Sequence, residues 1–168
     1  MKDYSINAVD LRLLDLLQTD ANRTNQDLAA VANISPATCL RRVQRLRSNG
    51  LIESTVAHLA PGRLAQALGH GLQAVTEISL DRQDAGSLQA FEDRAVAEAA
   101  VQQCHRVSPG PDFVLIVAVA DMPGYQALAQ RLFTADANVR NVKTFFSLKR
   151  AKFSARLPLP LPGRSEAP

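Results

Sequence analysis

Four arginines lie within one short stretch of the chain, and their positively charged guanidinium groups can bind a polyanion. They are Arg41, Arg42, Arg45 and Arg47, and no acidic residue lies among them. A guanidinium group makes two-point hydrogen bonds to phosphate oxygens and to guanine edges, so this cluster can bind nucleic acid. An ordinary solvated helix face can have the same composition, and the residues around the cluster must decide between these two interpretations.

Helical spacing places most of this positive charge opposite an apolar stripe. Ser35 can cap a helix whose first turn holds Pro36, and Asn49 and Gly50 can end it. The apolar stripe comprises Cys39, Val43 and Leu46, and the opposite side comprises Ala37, Thr38, Arg41 and Arg45. A core stripe, small residues near the start and a basic outer side are what a helix needs to enter the major groove of DNA.

Two further helices are predicted before this basic helix. Residues 9–18 have an amphipathic pattern, and Thr24 with Asp27 has the spacing of a capping box that starts a short helix through Ala32. Asn33 interrupts that helix, so the short helix and the basic helix form a helix-turn-helix arrangement. The β-like segment 51–59, from Leu51 to Leu59, predicts a small hairpin that would be the wing of a winged helix.

The second half of the chain has a different pattern, after a boundary with Pro and Gly at residues 60–69. Strands are predicted at 72–80, 101–107, 112–120 and 139–148, and helices at 86–99 and from Met122. This strand-helix-strand-strand-helix-strand order is the ferredoxin-like pattern. The predicted fold class is α+β: a winged helix-turn-helix domain at 1–60, a linker at 61–69, a ferredoxin-like βαββαβ sandwich at 70–157 and a poorly ordered Pro-rich tail at 158–168.

One strand of the second half predicts a partner. Residues 113–119 are apolar at every position, so both faces of this strand must be covered, whereas the helices of a two-layer sandwich cover only one face. A second copy of the same sheet is the simplest cover, which predicts a homodimer. A dimer would also carry two basic helices to two DNA half-sites about one helical turn apart.

Composition excludes several classes of protein. No apolar run reaches the roughly 18 residues that a membrane-spanning helix needs, and the N-terminus does not have a signal-peptide pattern. Cys39 and Cys104 lie in separate apolar stretches and are predicted to be buried thiols of a reducing, cytoplasmic compartment. Adjacent Cys104 and His105 would point to opposite faces of a strand, and no metal-binding spacing or phosphate loop is visible, so neither an enzyme nor a metal or cofactor site is predicted.

Over residues 9–159 the chain resembles the Lrp/AsnC family of transcriptional regulators. The marks of the resemblance are Asp10 and the leucines after it, Arg23, Leu28-Ala29, Ile34-Ser35-Pro36, Cys39 to Val43 with Leu46, Gly50-Leu51-Ile52, Leu59-Ala60-Pro61, Leu68-Gly69 and Asp112 to Leu115. The resemblance implies a sequence-specific DNA-binding transcriptional regulator. Its ferredoxin-like domain would dimerise, build tetramers or octamers, and bind a small-molecule effector, most often an amino acid.

Carried over by position, the resemblance implies a set of contacts to double-stranded DNA. These residues are Ser35, Pro36, Thr38, Arg41, Arg42 and Arg45. Helical geometry favours Arg41 and Arg45, which share the outward side. Arg42 lies at the edge of the apolar stripe, where it can grip either a phosphate or an acid such as Asp10, and both alternatives stay open.

The resemblance also implies an effector site around Asp112, whose carboxylate would meet the ligand's ammonium group. The further lining residues are Ser108, Gly110, Thr144 and Phe145. The family's turn has a glycine where this chain has Pro109, and a proline has no N–H to offer to a carboxylate. Asp112 can instead be a turn residue that caps a hairpin, and the alternative function is an effector-independent architectural DNA-binding protein.

Overall fold

The computed structural model describes residues 5–69 and 71–161, which fold as two compact units. The first unit contains the chain up to His58 together with the C-terminal segment that starts at Lys152, and the second unit is Leu59–Ala151. Each unit has its own hydrophobic core. Residues 162–168, most of the predicted Pro-rich tail, lie outside the described residues.

The first unit is built on the helices α1 (Ala8–Thr19), α2 (Asn25–Ala32) and α3 (Pro36–Ser48). Their facing sides bury one core, made of Leu13, Leu28, Ala29, Ala32, Cys39, Val43 and Leu46. The apolar stripe predicted for α3 is therefore confirmed. Ala29 is 2% exposed, and its small side chain lets α2 pack closely on α3.

Side-chain caps fix where α1 and α2 begin. In α1, the Asn7 side chain accepts from the amide of Asp10, and the Asp10 carboxylate accepts from the amide of Asn7. Thr24 and Asp27 form the same reciprocal pair at the start of α2, as their spacing predicts. α2 ends at Asn33, whose φ of 55° is a left-handed conformation that asparagine tolerates better than most residues.

The hairpin predicted at residues 51–59 is not formed. The amides of Leu51 and Ile52 donate to the carbonyl of Leu46 at the end of α3, and residues 53–60, all of them described, lie in neither helix nor strand. Val56 and Leu59 are 66% and 70% exposed, so these side chains have no core to pack on. A two-stranded ribbon is at best marginally stable without such a surface, which is why β propensity misleads here.

The C-terminal segment of the described chain lies against α1. The Gln18 side-chain amide donates to the Leu157 carbonyl at 3.0 Å and accepts from the Leu157 N–H at 2.9 Å. Arg156 pairs with Asp15 at 2.6 Å. We name residues 152–161 the strap, because they bind one end of the chain to a helix from the other end.

The second unit contains a helix in the stretch predicted as a linker, followed by an antiparallel sheet with helices. Its elements are α4 (Pro61–Leu68), β1 (Leu72–Leu80), α5 (Ala85–Ala97), β2 (Val101–Arg106), β3 (Phe113–Val119), α6 (Met122–Ala129) with a π-helical turn at Gln130–Thr134, and β4 (Val139–Phe146). The strands lie side by side in the order β2-β3-β1-β4, and every neighbouring pair is antiparallel. This is the ferredoxin-like βαββαβ arrangement, so the predicted fold class is confirmed.

The two faces of this sheet differ in burial. One face packs on α5 and α6 around a core that includes Ala74, Ile78, Phe91, Phe113, Leu115, Val117 and Leu128. The alternate side chains Val75, Val114, Ile116 and Phe145 remain half-buried or exposed. We call the side formed by these four residues the open face. Among the described residues, no helix has the length and apolar character needed to cross a bilayer.

Candidate nucleic-acid interface and effector region

The side of α3 that faces away from the core is basic. Arg41 and Arg45 are exposed four residues apart, and Thr38 is half-buried one turn before Arg41. Residues three and four apart are neighbours on a helix, so these three side chains form one continuous surface. We call Thr38, Arg41 and Arg45 the outer side of α3.

Contacts at the start of α3 fix its position on α2 and leave its first turn accessible. The Ser35 hydroxyl accepts from the Thr38 amide at 3.3 Å and donates to the Thr38 hydroxyl at 2.9 Å. From α2, Asn25 donates its side-chain N–H to the carbonyl of Pro36 at 2.9 Å. Ser35 and Pro36 are exposed, and a helix N-terminus favours an anion, so a phosphate can approach here.

A buried carboxylate lies behind the outer side of α3. Asp10 of α1 is 0% exposed, and its Oδ1 accepts from Arg42 Nη1 at 2.8 Å. Its Oδ2 lies 3.5 Å from Arg45 Nη2. The structure therefore places Arg42 on the acid, which is one of the two alternatives that the sequence left open for this arginine.

Asn7 belongs to the same cluster and was missed as a candidate. Its Oδ1 lies 3.3 Å from Arg42 Nη1, so it contacts the same guanidinium group as Asp10. A sequence signal was available, because Asn7 and Asp10 have the spacing of a capping box. The signal predicts a helix start, but it does not predict that both capping side chains also bind an arginine of another helix.

Asp112, the centre of the predicted effector site, is bonded to the end of β1. Its Oδ2 accepts from the N–H of Leu80 at 2.7 Å, where the β1–β4 register shifts between Ser79 and Leu80. The Asp112 N–H donates to the carbonyl of Ile78 at 2.8 Å. The carboxylate thus satisfies an amide at the irregular end of β1, which is a structural role different from the hairpin cap that the sequence offered as the alternative.

Ser108 and Gly110 lie in the exposed turn before Asp112. Gly110 has a φ of 123°, a backbone conformation that favours glycine, and the peptide bond before Pro109 is cis. The N–H of Val107 donates to the carbonyl of Asp112 at 3.0 Å and closes the turn. Ser108, Gly110 and Asp112 are therefore brought together at one end of the sheet.

Thr144 and Phe145 of β4 point to opposite faces of the sheet. The Thr144 hydroxyl lies 3.2 Å from that of buried Thr76 and hydrogen-bonds to the Tyr125 hydroxyl on α6. Phe145 is 46% exposed on the open face, with the Lys143 ammonium 4.8 Å from its ring centroid. A pocket on one face cannot be lined by both side chains, so the structure does not bring the predicted effector residues together as one group.

The two cysteines are free thiols; Cys39 is buried as predicted, whereas Cys104 is only partly buried. Burial raises the pKa of the Cys39 thiol, and burial followed by the charge of Glu92 raises the pKa of the Cys104 thiol, so thiolate is disfavoured at both. Cys104 packs on the sheet core, while His105 contacts Gln103 at 3.1 Å. Within residues 5–69 and 71–161, no group of three or more His, Cys, Asp or Glu side chains could hold a metal ion.

Two family models match the chain. Residues 6–53 match a winged helix-turn-helix DNA-binding domain, and residues 73–157 match the Lrp/AsnC ligand binding domain. The first match includes α1, α2 and α3, and the second includes nearly all of the sheet with α5 and α6.

Similar proteins cover most of the chain. A leucine-responsive regulatory protein of Rhizobium meliloti is 33% identical over 147 residues, which are 88% of this chain and 92% of the relative. The Bkd operon transcriptional regulator of Pseudomonas aeruginosa is 30% identical over 154 residues, 92% of this chain and 98% of that protein. A transcriptional regulator of Neisseria meningitidis, solved as a complex with L-Met, has 25% identity and a TM-score of 0.79, with 92% of this chain and 97% of that chain covered.

Proposed function

This chain belongs to the Lrp/AsnC family of transcriptional regulators, and on that premise we propose that the outer side of α3 binds the major groove of double-stranded DNA. The observation that carries the proposal is a helix-turn-helix whose second helix buries an apolar stripe and exposes Arg41 and Arg45. Arginine forks match guanine edges and phosphates, so these two side chains read or grip the duplex. Thr38 adds a hydroxyl one turn earlier, and the exposed first turn at Ser35 and Pro36 receives a phosphate.

Arg41→Ala tests this proposal. Loss of one arginine contact should weaken binding of a short duplex by about tenfold and lower the slope of log affinity against log salt by about 0.9. Fluorescence anisotropy at several salt concentrations measures both, with a duplex selected by the wild-type protein from a random pool. Arg12→Ala is the matched control, since Arg12 is exposed on α1 and its loss changes the net charge equally. Equal losses in both variants would contradict the proposed groove contact.

The second domain, in this proposal, binds an amino acid and passes that signal to the DNA-binding domain. The family description as a ligand binding domain and the L-Met complex of the Neisseria relative support this assignment. Ser108 and Gly110 lie in an exposed turn next to the half-buried Asp112, and in this proposal the Asp112 carboxylate meets the ammonium group of such a ligand. Effector binding must then change DNA affinity by the same factor by which DNA changes effector affinity. Thermal melting with L-amino acids tests whether a ligand binds.

The open face of the sheet, we propose further, is covered by a second copy of this chain. Val75, Val114 and Ile116 are apolar and not fully buried, as at the centre of an interface that is symmetric between two copies. At the edge of this patch, Glu77 of β1 pairs in register with Lys143 of β4. Such a dimer presents two α3 helices to two half-sites, and dimers can assemble further into tetramers or octamers. Sedimentation of the purified protein tests the assembly.

A further inference from the structure

Asp10 is completely buried and has polar partners at the N-cap of its own helix and on α3. Among the residues that the structure describes, it is the only charged side chain that is buried. Its carboxylate accepts from Arg42 at 2.8 Å and from the Asn7 amide at 3.3 Å, and it lies 3.5 Å from Arg45. Burying a carboxylate costs free energy unless hydrogen-bonding and charged partners replace the lost water. The side chains that contact Asp10 are therefore held in place by this requirement.

Arg42 is the least exposed of the four arginines on α3. Its side chain is 23% exposed, its Nη1 is shared between Asp10 and Asn7, and its Nε is buried. If Arg42 turned outward to a phosphate, Asp10 would lose its shortest contact and keep a buried negative charge. The contact with Asp10 therefore keeps the Arg42 guanidinium group from turning outward.

Arg45 contacts the same carboxylate but is more exposed than Arg42. Its side chain is 45% exposed, and its contact with Asp10 is the longer of the two arginine contacts. A guanidinium group presents its N–H donors in a rigid planar fork, so a contact with Asp10 orients the whole group. The Asp10 carboxylate thus holds Arg42 in the cluster and orients Arg45.

We propose that Asp10 is a positioning residue that sets DNA specificity, because it withholds Arg42 from phosphates and orients Arg45 on the outer side of α3. Sequence-independent affinity grows with the number of cations that reach phosphates, whereas base readout depends on arginines held in a fixed geometry. Asp10 therefore lowers the sequence-independent affinity and supports base readout. This inference rests on the proposed DNA contact of α3 and adds a residue of α1 that does not touch DNA.

Asp10→Asn tests the inference, since it removes the charge and keeps nearly the same shape. Two duplexes are needed: one selected from a random pool by the wild-type protein, and one of random sequence. With Arg42 released, the slope of log affinity against log salt for the random duplex should become steeper by about 0.9, which corresponds to one added phosphate contact. Binding of the random duplex should tighten, and the ratio of selected to random affinity should fall by about tenfold.

A purely structural role for Asp10 gives a different result. In that case both duplexes bind more weakly in the same proportion and the salt slope does not change, and this outcome overturns the inference. The double variant Asp10→Asn with Arg42→Gln identifies the released residue, because it should restore the wild-type slope. A slope that stays as steep as in Asp10→Asn would contradict the role given to Arg42.

The single variant Arg42→Gln keeps the inference testable if circular dichroism shows that Asp10→Asn does not fold. Because Arg42 is held on Asp10, Arg42→Gln should leave the salt slope unchanged, whereas Arg41→Gln should lower it by about 0.9. Equal reductions in the two variants would overturn the inference. Failure of the wild-type protein to enrich any duplex from the random pool would instead refute the proposed DNA contact, so the two failures are distinguishable.

Discussion

Asp112 has two possible partners for its carboxylate, the amide of Leu80 and the ammonium group of a ligand. The bond to Leu80 uses Oδ2 and is made within the chain itself. An isosteric amide can still accept this N–H, but it cannot supply the negative charge that an ammonium group seeks. Asp112→Asn and Asp112→Ala therefore separate the structural role from the binding role.

We expect L-methionine or another L-amino acid to raise the melting temperature of the wild-type protein but not that of Asp112→Asn. A ligand at 100 times its Kd stabilises a protein by about 2.7 kcal/mol, which is readily measured by differential scanning fluorimetry. Without ligand, Asp112→Asn should melt close to the wild type. Asp112→Ala should lose about 1 kcal/mol, because the Leu80 amide is left without its acceptor.

Two other outcomes are informative. An equal rise in the wild type and in Asp112→Asn would remove the carboxylate from the effector site. If no amino acid changes the melting temperature of the wild type, the effector proposal fails, and the architectural DNA-binding alternative becomes the better description.

Individual residues were predictable where the local pattern determines their environment. Cys39 and Val43 are buried on α3 because they follow the helical period, which the sequence displays. The partner of Arg42 depends on how α1 packs on α3, and no spacing within either helix contains that information. Thr144 and Phe145 could have been separated from the sequence, since neighbouring residues of a strand point to opposite faces.

At the scale of the elements, Asn33 sets the turn between α2 and α3. Its φ of 55° is costly for most residues but not for glycine. We expect Asn33→Ala to lower the free energy of unfolding by about 1 kcal/mol, and Asn33→Gly to lower it much less. Urea unfolding followed by circular dichroism measures both changes.

The pair of variants at position 33 is its own control, because both remove the same side-chain amide. If both destabilise the protein equally, the amide group matters and the left-handed backbone does not. The result also bears on DNA binding, since this turn determines where α3 lies relative to α2.

Strand and helix bounds were predicted to within a few residues in the second unit. β1 at 72–80 has the predicted bounds, because Gly71 and the polar residues after Leu80 mark its ends. The prediction of a hairpin at 51–59 was wrong, although the residues of this segment favour strands. β propensity describes how a side chain fits a packed sheet surface, and this segment has no such surface within the described chain.

At the scale of the whole molecule, the open face predicts how the protein assembles. We expect Ile116→Glu to convert the proposed dimer into a monomer, since it places a charge within the apolar open face. Analytical ultracentrifugation measures the change in mass. DNA affinity should fall with it, because a monomer contacts one half-site at a time.

Val96→Glu is the matched control for this prediction. Val96 is 68% exposed on α5, away from the open face, so the same apolar-to-acidic change should leave the mass unaltered. A wild-type protein that sediments as a monomer at micromolar concentration, or an Ile116→Glu variant that remains a dimer, would contradict the assignment of this face.

The strap makes the first unit discontinuous in the gene, because α1 to α3 come from one end of the chain and the segment held by Asp15 and Gln18 comes from the other. The chain therefore passes between the units twice, after His58 and after Ala151. A gene fragment that stops before codon 152 encodes α1 without the segment that covers part of it. Recombination between relatives must exchange both the α1–α3 segment and the strap to move this DNA-binding unit intact, and a single crossover between them leaves α1 with a strap that evolved beside another helix.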